Sequence, residues 1–130
     1  MILALPPAGA ARAEGDPADA VVARYDGTFT DRGVQTVVRL TTEKRSAETV
    51  YFDLMVHHRP YHACFVQGEA VYDGIGRFIY TNPEIEGCVV SIRRTEDAWE
   101  FVDIGSKCRF FHCGASGFID TRIPRPGTRS

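Results

Sequence analysis

Four cysteines, Cys64, Cys88, Cys108 and Cys113, are the residues whose type and spacing most constrain the chemistry of this chain. A zinc site wants paired short spacings such as C-x2-C, whereas Cys64 and Cys88 stand alone and Cys108 and Cys113 enclose four residues. That spacing is also not the C-x-x-C of a thioredoxin-like redox pair. An even set in a short chain behind an export-type leader predicts two disulfides. His57, His58 and His62 flank a turn at Arg59-Pro60, but no carboxylate is placed to complete a metal shell, and they read as exposed turn residues. Asp53, Glu69, Glu100 and Asp103 each alternate with apolar neighbours, the pattern of carboxylates facing water. Ser116 is not a nucleophile-elbow serine, because Phe118 stands where G-x-S-x-G needs its second glycine. No catalytic residue, metal or cofactor is expected.

The segment from Cys108 to Phe118 is the strongest binding candidate. Clasped by its cysteines, it becomes a hairpin-like loop followed by a turn of small residues, which can present backbone to a partner at low entropic cost. Arg109, His112, Ser116, Gly117 and Phe118 are its expected contact residues. Ala115-Ser116-Gly117 resembles the serine-glycine loop of bacterial periplasmic lysozyme inhibitors. That resemblance implies a small β-barrel or β-sandwich in which Ser116 and Gly117 enter a lysozyme cleft and block its carboxylates. The ending Cys-x4-Cys-Gly also resembles that of exported β-domains of proteobacteria. The expected partner is therefore another protein, either a lysozyme-like enzyme or an envelope complex on which the chain packs as an accessory subunit.

Bulk properties fit this reading. With 15 basic and 17 acidic residues the formal charge is −2, which supplies no footprint for a phosphate backbone or an anionic membrane surface. No apolar run approaches the roughly 18 to 20 residues needed to span a bilayer. Residues 1–10 are small and apolar, and Ala11-Arg12-Ala13 places alanines where signal peptidase prefers them, so residues 1–13 read as a signal-peptide remnant cleaved before Glu14. The expected location is periplasmic or secreted.

The elements that must position these residues are strands. Residues 14–20 read as a flexible lead-in, 21–123 as one β-domain and 124–130 as a flexible tail, with a short helix an option over 16–23. Strands are expected over residues 22–29, 34–41, 50–57, 62–71, 76–80, 88–93 and 99–104, with a weaker one over 118–123. The third is clearest, with Val50, Phe52, Leu54 and Val56 on one face. Gly68 reads as a bulge, Asp73-Gly74 as a hairpin turn, and Trp99 with Phe101 as core. Seven to eight such strands predict an all-β fold, an antiparallel meander closed into a small barrel or folded over as a sandwich.

Strand register then favours joining Cys64 to Cys88 at one end of the sheet, which leaves Cys108 and Cys113 to close a local loop. Cys88 with Cys108 is the alternative, because a hairpin at Glu96-Asp97 brings residue 88 near 105.

Overall fold

The computed structural model describes residues 15–126. The leader expected over residues 1–13 and the last four residues of the expected tail lie outside them. Eight antiparallel strands follow one another in chain order around a nearly closed barrel. They are β1 (Arg24–Asp31), β2 (Val34–Ser46), β3 (Thr49–His58), β4 (Cys64–Tyr72), β5 (Phe78–Thr81), β6 (Val89–Arg94), β7 (Ala98–Asp103) and β8 (Thr121–Pro124).

Period-two patterning decides which side chains face in. Val50, Phe52, Leu54 and Val56 are fully buried along β3, and Val38 with Leu40 meets them from β2 through the pairs Val38↔Val56 and Leu40↔Leu54. The barrel centre is aromatic: Phe52 meets Tyr80 edge-on at 5.3 Å between centroids and Phe101 at 6.0 Å. Trp99 and Phe101 are core residues, as their two-residue spacing predicts. Gly68 corrects the expected bulge, since the β3–β4 ladder runs unbroken through Phe52↔Gly68. A Cβ at Gly68 would lie 2.6 Å from Cε1 of Tyr80, so glycine makes room there for the ring.

Both ends of the described chain are more ordered than the composition suggests. The lead-in carries a 3-10 turn, Pro17–Val21, that buries Ala18 and Val21 and ties Ala18 N–H to the Ala47 carbonyl at 2.9 Å. Lys44 pairs with Asp16 at 2.8 Å and Asp19 at 3.2 Å beside it. At the other terminus β8 extends through Pro124, and Arg125 N–H bonds the Asp97 carbonyl at 3.0 Å. The expected tail therefore begins as sheet.

Two seams interrupt the hydrogen-bonded wall. β1 and β8 share no ladder; the Asp31 carboxylate bridges them, accepting from Thr121 Oγ1 at 3.0 Å and Arg122 N–H at 3.3 Å. β4 and β5 pair only at Val71↔Ile79 and Tyr72↔Phe78, so the half of β4 starting at Cys64 leaves β5 behind. That second gap is where the cysteine-rich segment docks.

Candidate functional site

Residues 104–118 leave β7 through a tight 3-10 turn, Ile104–Ser106, in which Gly105 and Ser106 both have positive φ, 75° and 58°. Asp103 fixes the next step, its buried carboxylate accepting from Cys108 N–H at 3.0 and 3.2 Å. Burial raises the Asp103 pKa, with the neighbouring Asp120 charge adding to it and the Cys108 N–H opposing it. The outward-facing reading of Asp103 is thus corrected, whereas Asp53 and Glu69 are exposed as expected. Glu100 is pinned between two arginines, 2.7 Å from Arg93 and also bonded to Arg122.

From Cys108 the chain makes one helical turn, α1 (Arg109–Cys113), closed by His112 N–H to the Cys108 carbonyl at 3.1 Å. Gly114, at φ 78°, ends it. This turn overturns the favoured cysteine pairing. The disulfides are Cys64–Cys113 and Cys88–Cys108, with Cα separations of 4.1 and 4.6 Å. Residues five apart on a helix point about 140° away from each other. Cys108 and Cys113 therefore turn to different strands, one to the start of β6 and the other to the start of β4. The β6–β7 register Val90↔Asp103 places residue 88 opposite 105, the relation on which the alternative pairing rested. No free cysteine remains.

The five expected contact residues fall into two groups. Arg109 and His112 sit on α1, half-buried. His112 donates Nδ1–H to the Phe65 carbonyl at 2.8 Å, which attaches α1 to the free edge of β4. Its Nε2 and the Arg109 Nε are buried without a partner among the described residues. The Arg109 guanidinium carbon lies 5.7 Å from the centre of the Phe110 ring.

Ser116, Gly117 and Phe118 form the second group and pack inward. His62 N–H bonds Ser116 Oγ at 3.3 Å, and Ser116 N–H points back to His62 Nδ1 at 3.4 Å. A Cβ on Gly117 would lie 2.5 Å from the His62 carbonyl oxygen. Phe118 stacks on His58 at 4.0 Å with 6° between the rings, and Arg32 covers it at 5.6 Å. The small-residue turn is thus a buttress against the loop after β3 rather than a projecting tip.

The histidines do not converge. His57 Nε2 lies 2.7 Å from the Tyr61 carbonyl, and His62 serves Ser116. His58 is buried, contrary to the exposed-turn reading, with Nε2–H donated to the Asp120 carbonyl at 3.0 Å and Nδ1 2.9 Å from Thr36 Oγ1. Burial lowers the His58 pKa, and the Thr36 hydroxyl beside Nδ1 donates to the Val34 carbonyl at 3.1 Å. No cluster of three or more His, Cys, Asp or Glu among the described residues is arranged to hold a metal.

The large apolar side chains that segment 108–118 exposes lie between its cysteines. Phe110 and Phe111 are 72% and 62% exposed, and Phe65 on the adjoining strand is 64% exposed. Sequence reasoning passed over all three. The signal available was two consecutive aromatics enclosed by cysteines, which cannot both face the core from one helical turn. The chain matches no protein-family model, no curated protein and no solved structure. Among the described residues no helix is long and apolar enough to cross a membrane.

Proposed function

We propose that this chain is an exported binding protein, periplasmic or secreted, that engages another protein through the clasped segment 108–118. The observation that carries the reading is the exposure of Phe110 and Phe111 on a turn held by disulfides at both ends. Large aromatics are the usual anchors of protein interfaces, and a turn already fixed covalently loses little further entropy on docking. Two disulfides in a chain of 130 residues support an oxidising compartment.

The aromatic pair favours packing against an envelope complex as an accessory subunit. The inhibitor form of the proposal instead puts Ser116 and Gly117 into a lysozyme cleft, which requires their contacts with His62 to be given up. Both forms are tested by one set of variants. Envelope membranes are mixed with the tagged protein and crosslinked, and turnover of several lysozyme types is followed at near-stoichiometric ratio. We expect a specific crosslinked partner that Phe110→Ser/Phe111→Ser abolishes and Ser116→Tyr retains. Lysozyme inhibition relieved by Ser116→Tyr but not by the phenylalanine variant would establish the inhibitor form. No partner and no inhibition would overturn the proposal.

A further inference from the structure

A cleft of about 580 Å³ lies at the end of the barrel remote from the clasp. β4 begins at Cys64, in the clasp, and ends at Tyr72, in the cleft, so roughly 27 Å of strand separates the two. The cleft is the mouth of the barrel. Its floor is apolar, made by Ala20 and Val21 of the 3-10 turn together with Tyr72 and Phe78, whose rings are 5.2 Å apart. Mouths of β-barrels of this volume are common sites for small ligands, because side chains no longer fill the interior there.

Arginines line this mouth. Along β6, Val90 and Ile92 face the core, and Arg94, exposed at the end of the strand, continues the same row opposite the buried Trp99 in the β6–β7 register. Its neighbour Arg93, on the outer row, is neutralised by Glu100. Arg94 lines the cleft, and its side chain has no hydrogen bond or ion pair among the described residues. Arg125 also reaches the rim, where its guanidinium is bonded to the Thr95 and Glu96 carbonyls. The Glu96 carboxylate is the one acid of the lining among the described residues.

We infer that the barrel mouth binds a small amphiphile with an apolar body and an anionic head, the body on Tyr72 and Phe78 and the head on Arg94. A carboxylate and a phosphate monoester present the same oxygens to a guanidinium, and the arms of the experiment separate them.

The chain carries its own reporter. Its one tryptophan, Trp99, donates Nε1–H to the Ala20 carbonyl at 3.4 Å, directly behind the floor of the cleft. The oxidised protein is titrated with micromolar dodecanoate, dodecyl phosphate and dodecyltrimethylammonium, with Trp99 fluorescence and calorimetry as readouts. A saturable one-to-one response to either anion and none to the cation is expected, the tighter anion naming the head group. Arg94→Glu and the milder Arg94→Gln should each weaken that binding about tenfold or more. Arg93→Glu, on the outer row, should leave it unchanged. Equal binding of the cation, no saturable binding of either anion, or wild-type affinity in both Arg94 variants would overturn the inference. Phe110→Ser/Phe111→Ser should bind the amphiphile normally, which keeps this result independent of the one at the clasp.

Discussion

The Asp31 carboxylate accepts a hydrogen bond of 3.0 Å from the Thr121 hydroxyl, ninety positions further along the chain. Both residues are buried, and no ladder joins the strands that carry them. One acid therefore does at this seam what a row of backbone pairs does elsewhere. It also takes the Arg122 N–H at 3.3 Å and the Arg32 guanidinium at 3.3 Å, and Arg32 in turn bonds the Asp120 carbonyl at 2.7 Å.

Removing that acid should open the barrel at β1 and β8. Asp31→Ala strands a buried hydroxyl and a backbone N–H, and a hydrogen bond to a charged group contributes about 1.5 to 3 kcal/mol, so a loss of about 2 kcal/mol or more is expected. Thr121→Val removes one donor and should cost about 1 kcal/mol. Asp31→Asn keeps one acceptor oxygen and should fall between them. Urea unfolding followed by Trp99 fluorescence measures all three, and hydrogen exchange should show the loss concentrated in β1 and β8.

The two disulfides should differ in worth by the loops they close. Cys64–Cys113 spans 49 positions and Cys88–Cys108 spans 20. On loop-closure entropy alone these correspond to about 4 and about 3 kcal/mol. Cys64→Ser/Cys113→Ser should therefore destabilise more than Cys88→Ser/Cys108→Ser. Peptide mapping under non-reducing conditions should recover 64 with 113 and 88 with 108. A peptide carrying 64 joined to 88 would contradict the observed pairing.

The legible part of this fold was the part governed by alternation. β3 and the core pair Trp99 and Phe101 follow from period-two spacing, which depends only on neighbours in sequence. The cysteine pairing did not follow, because it turns on one helical turn of five residues, and RFFHC has no apolar periodicity long enough to announce a helix. Once that turn is present, Cys108 and Cys113 point apart and the favoured local loop is impossible. The site was half legible for a related reason. The segment was located by its cysteines, yet the direction of each side chain depends on what α1 docks against, and the docking edge on β4 exists only because β5 is four residues long. Hence Ser116 and Gly117, chosen for their small size, face His62, while Phe110 and Phe111, chosen by nothing in the pattern, face solvent.

The tight seat of Gly117 gives a direct check on this division of roles. Its φ is 125°, and an added Cβ would meet the His62 carbonyl oxygen at 2.5 Å and the Cys113 Cβ at 3.1 Å. Both neighbours are fixed, one as backbone and the other by a disulfide. Gly117→Ala should destabilise by about 2 kcal/mol or more. Gly33→Ala, also at positive φ, 81°, but with open space around it, should cost about 1 kcal/mol. Thermal unfolding of the two variants compares a clash plus strain with strain alone, and equal losses would remove the case for a close contact at Gly117.

His58 should make the fold sensitive to mild acid. Burial is the main cause of its lowered pKa, aided by the Arg32 charge, while the Asp120 carbonyl and the Asp31 and Asp120 carboxylates act the other way. In the unfolded chain an ordinary histidine takes up its proton near pH 6.5. Below that pH the unfolded state binds a proton that the folded state refuses, so stability falls as pH drops from about 6.5 towards the lower pKa of the native ring, by at most about 1.4 kcal/mol per pH unit. Asp103 has the opposite sign. Its raised pKa contributes stability that is full below the ordinary aspartate value of about 3.9 and is lost as pH rises through the native value. The two are separated by difference. Unfolding free energies of the wild type and His58→Gln, measured between pH 5 and 8, should converge as pH falls, because only the wild type carries the histidine slope. The glutamine variant, which loses the ring stacked on Phe118, should be less stable than the wild type at pH 8. Parallel curves across that range would show that the His58 pKa is not lowered in the fold.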